Sequence, residues 1–306
     1  MVGDTLRLSD RRDAIDAAAV AILIGITFSW GLNGVAAKLA NTGFNPIFVT
    51  LARSALGGIL VLAWCRYRKI NVFTRDGTLV AGLIAGSLFG VEFILVYVAL
   101  DYTSVARSTL MVNTMPFWVL IGAHFLLGER MSAMKFAGMA MAFVGVALVF
   151  SDRLSLPDPS AITGDIMSLV AGALWAATTL VIKKTRLAET SAEKLLLYQL
   201  AVASVMALPL LAVSGPIIRE ISAISISAIL FQAVFIVAFT YILWFWLMRR
   251  YPATGLSSFA FLTPAFGVIC GGVLLGETIS ARIVIALVLI AAGLMLVNRP
   301  AKRKTI

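Results

Sequence analysis

A glutamate stands well inside a long apolar stretch, at Glu92 in the sequence FGVEFIL. A charged side chain near the centre of a bilayer costs about 2.5–3.5 kcal/mol, so it usually faces a cavity or a partner. The Glu92 carboxylate could bind an ammonium group, carry a proton, or pair with Arg53 or Lys38 and hold helices together. The residue types alone leave these roles open.

A second set of small and polar residues is spaced i, i+3, i+4, i+7 and i+8, so its members share one helix face. The set is Trp30, Asn33, Gly34, Ala37 and Lys38. Such a face is typical of a cavity wall and equally of close helix packing in lipid. A similar pattern at Trp175, Thr178 and Thr179 favours the cavity. Lys38 and its mate Lys183 lie near the ends of apolar runs, where lysine extends to the lipid headgroups.

Further polar or aromatic residues interrupt other apolar runs. These candidates for contact with a ligand are Tyr97, Asn113, Ser257, Ser258, Phe235 and Phe239. Arg107 could receive a carboxylate or lie hydrated near the membrane surface. Pro116 and Pro264 are candidate hinges, because proline removes a backbone donor and can kink a helix.

The aromatic residues near Arg249 and Arg250 have a simpler interpretation. Tyr241, Trp244 and Trp246 are typical of the belt that membrane helices place at the lipid–water interface. The Phe235 and Phe239 rings share a face and could stack on an aromatic ligand, although such a stripe is more often packing or lipid contact.

The amino-acid composition indicates the class of protein that holds these residues. Of the 306 residues, 60% are hydrophobic and 13% are charged, and the mean hydropathy is +0.98. A soluble domain carries about 25% charged residues, so this is an integral membrane protein whose solvent is the lipid bilayer. Its apolar runs are long, which indicates helices rather than a barrel. The fold class is therefore all-α.

The same sequence argues against several other classes of protein. The net charge of +10 comes from Lys and Arg in short loops, so we expect no nucleic-acid partner. There is one His and no His-Glu-x-x-His, P-loop or Cys/His cluster, so neither an enzyme nor a cofactor or metal site is expected. Cys65 and Cys270 lie at or in apolar runs, as core residues would. The sequence sets no oligomeric state and is compatible with a monomer.

Runs of about 20 apolar residues predict ten membrane spans. They cover residues 17–39, 45–65, 78–99, 104–127, 133–150, 162–182, 194–214, 225–247, 254–275 and 281–297. Nineteen of the 25 Lys and Arg residues fall in one set of alternate segments, and only Arg153, Arg219 and Arg282 fall in the other. Because positive residues stay inside, both termini are predicted to be cytoplasmic.

The sequence repeats itself. FLLGERMSAMKFAGMAMAFVGVALV at Phe125–Val149 returns as VLLGETISARIVIALVLIAAGLMLV at Val273–Val297, and SWGLNGVAAK returns as LWAATTLVIK. Each half then has five spans, and an odd number inverts the second half, as in many secondary transporters. The predicted division is a tail at 1–16, repeats at 17–150 and 162–297, and a basic tail at 298–306.

The paired Leu-Gly-Glu elements are predicted to be structural. Gly128 and Gly276 can end a helix, and Glu129 and Glu277 suit the positive N-terminus of the helix that follows. Ser132 and Ser280 are candidate N-caps for those helices.

Two five-helix halves, each ending in a proline, a helix, Leu-Gly-Glu and a Gly-rich helix, resemble the EamA-type drug/metabolite transporters over about residues 17–297. GVEFILVYVALDYTSVAR and MVNTMPFW are most similar to the YddG-type aromatic amino-acid exporters of bacterial inner membranes. The resemblance implies export of amino acids, or of related metabolites, through a central cavity by alternating access and without ATP. It implies a multi-pass protein of the bacterial inner membrane. Broad drug or metabolite efflux is the alternative, since one sequence does not define the cargo.

Overall fold

The computed structural model describes residues 12, 14–151, 159–275 and 281–299. These residues form ten apolar helical segments and, within the described ranges, a single β-bridge between Phe44 and Ile218. The segments are α1, Ala17–Gly43; α2, Pro46–Arg68; α3, Leu79–Tyr102; α4, Val105–Leu127; α5, Ala133–Val149; α6, Pro159–Lys184; α7, Ala192–Leu211; α8, Ala223–Arg250; α9, Ala253–Leu275; and α10, Ala281–Val297. By length and composition, α1 to α8 could each cross a membrane, whereas the apolar parts of α9 and α10 are shorter. The predicted all-α membrane fold is confirmed.

Short polar residues fix where the helices start. The Asp16 carboxylate accepts a hydrogen bond from the Ala19 amide at 2.9 Å, and the Asn45 side chain accepts one from the Ile47 amide at 2.9 Å. Ser132 caps α5 through the Lys135 amide, as predicted. Each cap satisfies an amide that has no partner inside its own helix. Ser280 lies outside the described residues.

The last two helices of the second half start at one fixed offset from the last two helices of the first. Helix α9 starts 148 positions after α4 (253 minus 105), and α10 starts 148 positions after α5 (281 minus 133). The packing is symmetric as well. Helix α1 packs on α8 and α9 of the other half, α6 packs on α3 and α4, and α5 packs on α10. Both halves therefore contribute to the centre of the molecule.

Helices α4 and α9 are both broken. Helix α4 consists of α4a, Val105–Val112, and α4b, Met115–Gly122, followed by a π-helical turn over Ala123–Leu127. Helix α9 consists of α9a, Ala253–Ser258, a 3-10 turn at Phe259–Phe261, and α9b, Leu262–Leu275.

The two candidate hinge prolines stand at these breaks. Pro116 and Pro264 lie in the first turns of α4b and α9b. A proline costs no hydrogen bond within its own helix at such a position. Whether the chain bends there during function stays a prediction.

Helix α8 changes its winding in the middle. Residues Gln232–Thr240 form a π-helix between the α-helical segments Ala223–Phe231 and Tyr241–Arg250. Segments of this kind are rare and often occur at functional sites. The change rotates the second part of α8 relative to the first.

Candidate functional site

Helices from both halves enclose a cavity of about 160 Å³. An apolar cavity of about 150 Å³ in another protein holds benzene, so this space accommodates a group the size of one aromatic ring. The wall comes from α1, α3 and α4 of the first half and from α6, α7, α8 and α9 of the second. Such a position between repeats is where inverted-repeat transporters bind their cargo.

Eight residues singled out in the sequence line this cavity. They are Trp30, Asn33, Glu92, Tyr97, Asn113, Trp175, Thr178 and Thr179. The α1 face therefore serves as a cavity wall through Trp30 and Asn33, with Gly34 and Ala37 beside them.

Four other candidates lie elsewhere in the fold. The rings of Phe235 and Phe239 are 43% and 53% exposed on the outer surface of α8, where they stack on each other rather than line the cavity. Ser257 and Ser258 are buried in α9a, and their hydroxyls donate to the carbonyls of Thr254 and Gly255.

Glu92 is the cavity carboxylate. Glu92 is only 4% exposed, and its oxygen Oε2 has no hydrogen-bond partner among the described residues. Lys38 is not its partner, because the Lys38 ammonium donates to the carbonyl of Leu100 at the end of α3. Arg53 is near enough to attract the carboxylate, but the described residues contain no ion pair between the two within 4 Å.

Arg53, which the sequence offered only as a possible partner of Glu92, is the cation beside this site. It is 0% exposed, and its Nη2 atom donates to the Tyr241 hydroxyl at 3.0 Å. The guanidinium carbon lies 4.2 Å from the centre of the Phe93 ring and 5.6 Å from the rings of Tyr97 and Tyr241. Cations are attracted to aromatic faces at such distances. All three rings line the cavity, so Arg53 lies one layer behind its wall.

Tryptophans from both halves meet at the cavity. Trp30 and Trp175, which occupy matching positions in the two repeats, have ring centroids 5.7 Å apart. Trp244 packs 5.1 Å from Trp30, and the Trp30 indole N–H donates to the Thr240 hydroxyl at 3.0 Å. These edge-to-face and tilted arrangements are the ones that aromatic pairs prefer. The three indole rings form an apolar part of the cavity wall.

The interfacial-belt prediction for α8 is wrong for two of its three members. Trp244 is 3% exposed and Tyr241 is 8% exposed, and both line the cavity. Only Trp246 lies near the helix end in the expected way, with the Arg250 guanidinium 3.9 Å from its ring. Helical spacing places Tyr241 and Trp244 on the face of α8 opposite the exposed Phe239. Gln199 of α7, a fully buried amide with no partner among the described residues, is a further lining residue that the sequence reading missed.

Three basic residues bind groups of the protein itself. The Lys183 ammonium donates to the carbonyl of Tyr251, which follows α8, and the Lys38 ammonium donates to the carbonyl of Leu100 near the end of α3. Whether these lysines also extend to the headgroups stays a prediction. Arg107 forms an ion pair with Asp165 of α6. Its guanidinium is therefore engaged with a carboxylate of the protein itself.

The Leu-Gly-Glu glutamate acts between the halves. Glu129 accepts hydrogen bonds from the amides of Ala253 and Thr254, at 2.8 and 3.1 Å. It thus caps α9a rather than α5, the helix that follows it in sequence and for which it was predicted. Gly128 adopts the left-handed conformation that lets the chain turn there. Gly276, Glu277 and Ser280 lie outside the described residues.

Ten apolar helical segments, the broken pair α4 and α9, and a central cavity define a multi-pass membrane transporter built from inverted repeats. The sequence profile of the EamA-like transporter family matches residues 17–151 and again residues 162–299. The chain belongs to the EamA-like transporter family. This family lies within the drug/metabolite transporter superfamily, whose members the sequence motifs resemble.

The chain is similar in sequence to several transporters over most of its length. It is 27% identical to the uncharacterized transporter YvbV of Bacillus subtilis, across 92% of each chain. It is 24% identical to the "probable amino-acid metabolite efflux pump" of Salmonella typhimurium, across 93% of this chain and 94% of that protein. A solved crystal structure superimposes with a TM-score of 0.77 at 19% identity, covering 92% of this chain and 96% of the other. That likeness concerns the fold.

Proposed function

We propose that this protein is a secondary transporter that exports amino acids, aromatic and other neutral ones among them, by alternating access through the central cavity. The observation that carries the proposal is Glu92, a buried carboxylate that faces an aromatic cavity and has an unpartnered oxygen. A buried carboxylate without a fixed partner suits a ligand that brings its own ammonium group. The similarity to amino-acid metabolite efflux pumps supports this substrate class.

The breaks in α4 and α9 support alternating access. Segment α4a contributes four residues to the cavity wall, namely Val105, Ser108, Thr109 and Val112, whereas α9a contributes none and is buried throughout. The two matching segments thus have different surroundings. An exchange of these surroundings between α4a and α9a is what alternating access through inverted repeats requires.

Transport by purified protein in sealed liposomes tests the proposal. Liposomes preloaded with unlabelled phenylalanine are diluted into labelled phenylalanine, tryptophan, threonine or glutamate, with and without a proton gradient. We expect saturable exchange of the neutral amino acids, and any effect of the gradient on net flux identifies proton coupling. No exchange of any amino acid would refute the proposal.

The variant Glu92→Gln measures what the carboxylate charge contributes to transport. A hydrogen bond to a charged group contributes about 1.5–3 kcal/mol, so we expect about a 10- to 100-fold loss of phenylalanine exchange. Glu189→Gln makes the same chemical change at an exposed residue and should exchange normally. Both variants must elute as folded protein by size-exclusion chromatography for the comparison to hold.

Broad efflux of lipophilic compounds is the second candidate, because the cavity wall is mostly apolar and aromatic. Tetraphenylphosphonium, a lipophilic cation, belongs in the same panel for this reason. Movement of this cation without exchange of any amino acid would favour broad efflux.

A further inference from the structure

We propose that Tyr241, held by Arg53, binds the carboxylate of the substrate while Glu92 binds its ammonium group, so that the cavity selects zwitterionic α-amino acids. The inference rests on the proposed function and goes beyond it. It assigns one end of the ligand to each of two protein charges, and it names Arg53 as a positioning residue. It also separates zwitterions from plain amines, which a lone carboxylate would accept equally well.

The burial of Arg53 is the first observation. The guanidinium lies inside a membrane helix with no exposure, and its Nε and Nη1 atoms have no hydrogen-bond partner among the described residues. A charged group in this position is costly, and charged groups inside membrane spans usually mark a path or a site. Its single described hydrogen bond goes to the hydroxyl of Tyr241, a residue of the cavity wall.

The chemistry of that hydrogen bond points into the cavity. A guanidinium only donates, so the Tyr241 oxygen is the acceptor and the hydroxyl hydrogen stays available to donate elsewhere. In the part of the chain that the structure describes, this hydrogen has no hydrogen-bond acceptor. A donor that is itself hydrogen-bonded to a cation is strengthened by polarisation. The Arg53–Tyr241 pair thus offers a charge-assisted O–H donor, and a carboxylate is its natural acceptor.

The separation of the two charges is the second observation. Glu92 and Arg53 attract each other, yet they form no ion pair within 4 Å. Phe93, the neighbour of Glu92 in sequence, places its ring under the guanidinium at 4.2 Å. Opposite charges that are not neutralised by direct contact match a ligand that carries an ammonium group and a carboxylate on one carbon atom. An α-amino acid is such a ligand, and the surrounding rings accept its apolar side chain.

Three ligands of similar size distinguish the contributions of the two charged groups of the substrate. Phenylalanine carries both charges, phenethylamine lacks the carboxylate, and 3-phenylpropionate lacks the ammonium group. Their affinities are measured as competition with labelled phenylalanine in wild-type protein and in Tyr241→Phe, which removes the hydroxyl and keeps the ring. Tyr67→Phe, at a residue that is 79% exposed, makes the same change outside the cavity.

We expect Tyr241→Phe to lower the affinity for phenylalanine and 3-phenylpropionate about tenfold or more, because one charge-assisted hydrogen bond is lost. Phenethylamine should stay within about twofold, and Tyr67→Phe should bind all three as the wild type does. Glu92→Gln should give the opposite pattern. It should lower the affinity for phenylalanine and phenethylamine and leave that for 3-phenylpropionate unchanged. Arg53→Lys keeps the charge but loses the guanidinium geometry, so it should resemble Tyr241→Phe in a milder form.

Equal weakening of all three ligands in Tyr241→Phe would assign the pair a purely structural role and overturn the inference. Unchanged phenylalanine affinity in that variant would overturn it as well. In both cases wild-type exchange of phenylalanine would leave the proposed function standing. If wild-type protein neither binds nor exchanges any amino acid, the proposed function fails and this inference fails with it.

Discussion

The contact between α5 and α10 gives the sharpest quantitative prediction. Gly138 of α5 and Gly293 of α10 face each other so closely that a Cβ atom on Gly293 would lie 2.4 Å from the Gly138 carbonyl oxygen and 2.8 Å from the Ala142 amide nitrogen. Both neighbours are backbone atoms, which no rotamer change can move. Small residues permit this approach, which drives helix association in lipid.

The variant Gly293→Ala should therefore be destabilised. Ordinary contacts between carbon atoms are about 3.5–4.0 Å, so the helices would have to separate locally by roughly 1 Å. Overpacking of this kind costs about 1–3 kcal/mol. At about 2–4 °C per kcal/mol, the apparent Tm in detergent should fall by roughly 2–12 °C. Since neither α5 nor α10 contributes a described residue to the cavity, the KM for transport should not change.

The matched control is Gly25→Ala. Gly25 lies in α1, and a Cβ atom there would meet nothing within 4 Å. Alanine is preferred over glycine in a helix interior by about 0.5–1 kcal/mol, so this variant should melt at or above the wild-type temperature. Equal melting temperatures for the two variants, measured by loss of the monodisperse peak after heating, would refute the packing argument.

Three further predictions concern single side chains. Glu129→Gln should lower stability by about 0.5–2 kcal/mol, the usual cost of a lost helix cap, seen as a lower Tm than in Glu189→Gln. Burial opposes ionisation of Asp76, but hydrogen bonds from Lys194, Thr78 and Thr74 outweigh it and hold its pKa well below the usual range. The stability that Asp76 contributes is therefore complete above its unfolded-state value near 3.8 and is lost as the pH falls through the lower folded-state pKa. The Tm gap between wild type and Asp76→Asn should be constant near neutral pH and shrink below about pH 4; a gap that widens there would contradict this. Phe239→Leu, on the lipid-facing surface, should leave phenylalanine exchange within about twofold, and a large loss would mean that this ring touches cargo.

The number of spans and the two-fold repeat were predictable because both depend on local properties of the sequence. Apolar length determines which segments can cross a bilayer, and the repeat is visible as similar residues about 145–148 positions apart. The match of Trp30 with Trp175 also followed from the repeat. Residues that share a repeat position near the centre of the molecule meet close to its symmetry axis, which is why these two rings touch.

The wall of the cavity was harder to predict, and α8 shows the physical reason. At 3.6 residues per turn, Tyr241 and Trp244 face away from Phe239, whereas Trp246, seven positions after Phe239, shares its face. The belt prediction used the residue types near a helix end and not the helix face, so it missed the two inward rings. Which face meets the cavity depends on the packing of the neighbouring helices, which local sequence does not show. Arg53 did carry a signal, a charge inside an apolar run, but its stacking on Phe93 depends on how two helices pack.

Glu129 shows how two similar halves come to differ in conformation. A local rule assigned it to the helix that follows, but its carboxylate instead caps α9a in the other half. The capped segment α9a is buried, whereas the matching segment α4a lines the cavity. Segments α4a and α9a occupy matching positions at a fixed offset, so the repeat alone does not decide which of them is covered. If the two halves alternate as proposed, the Glu129 cap must break in each cycle. A weak, partly exposed carboxylate–amide cap suits that role better than a buried ion pair, because water can replace it at low cost.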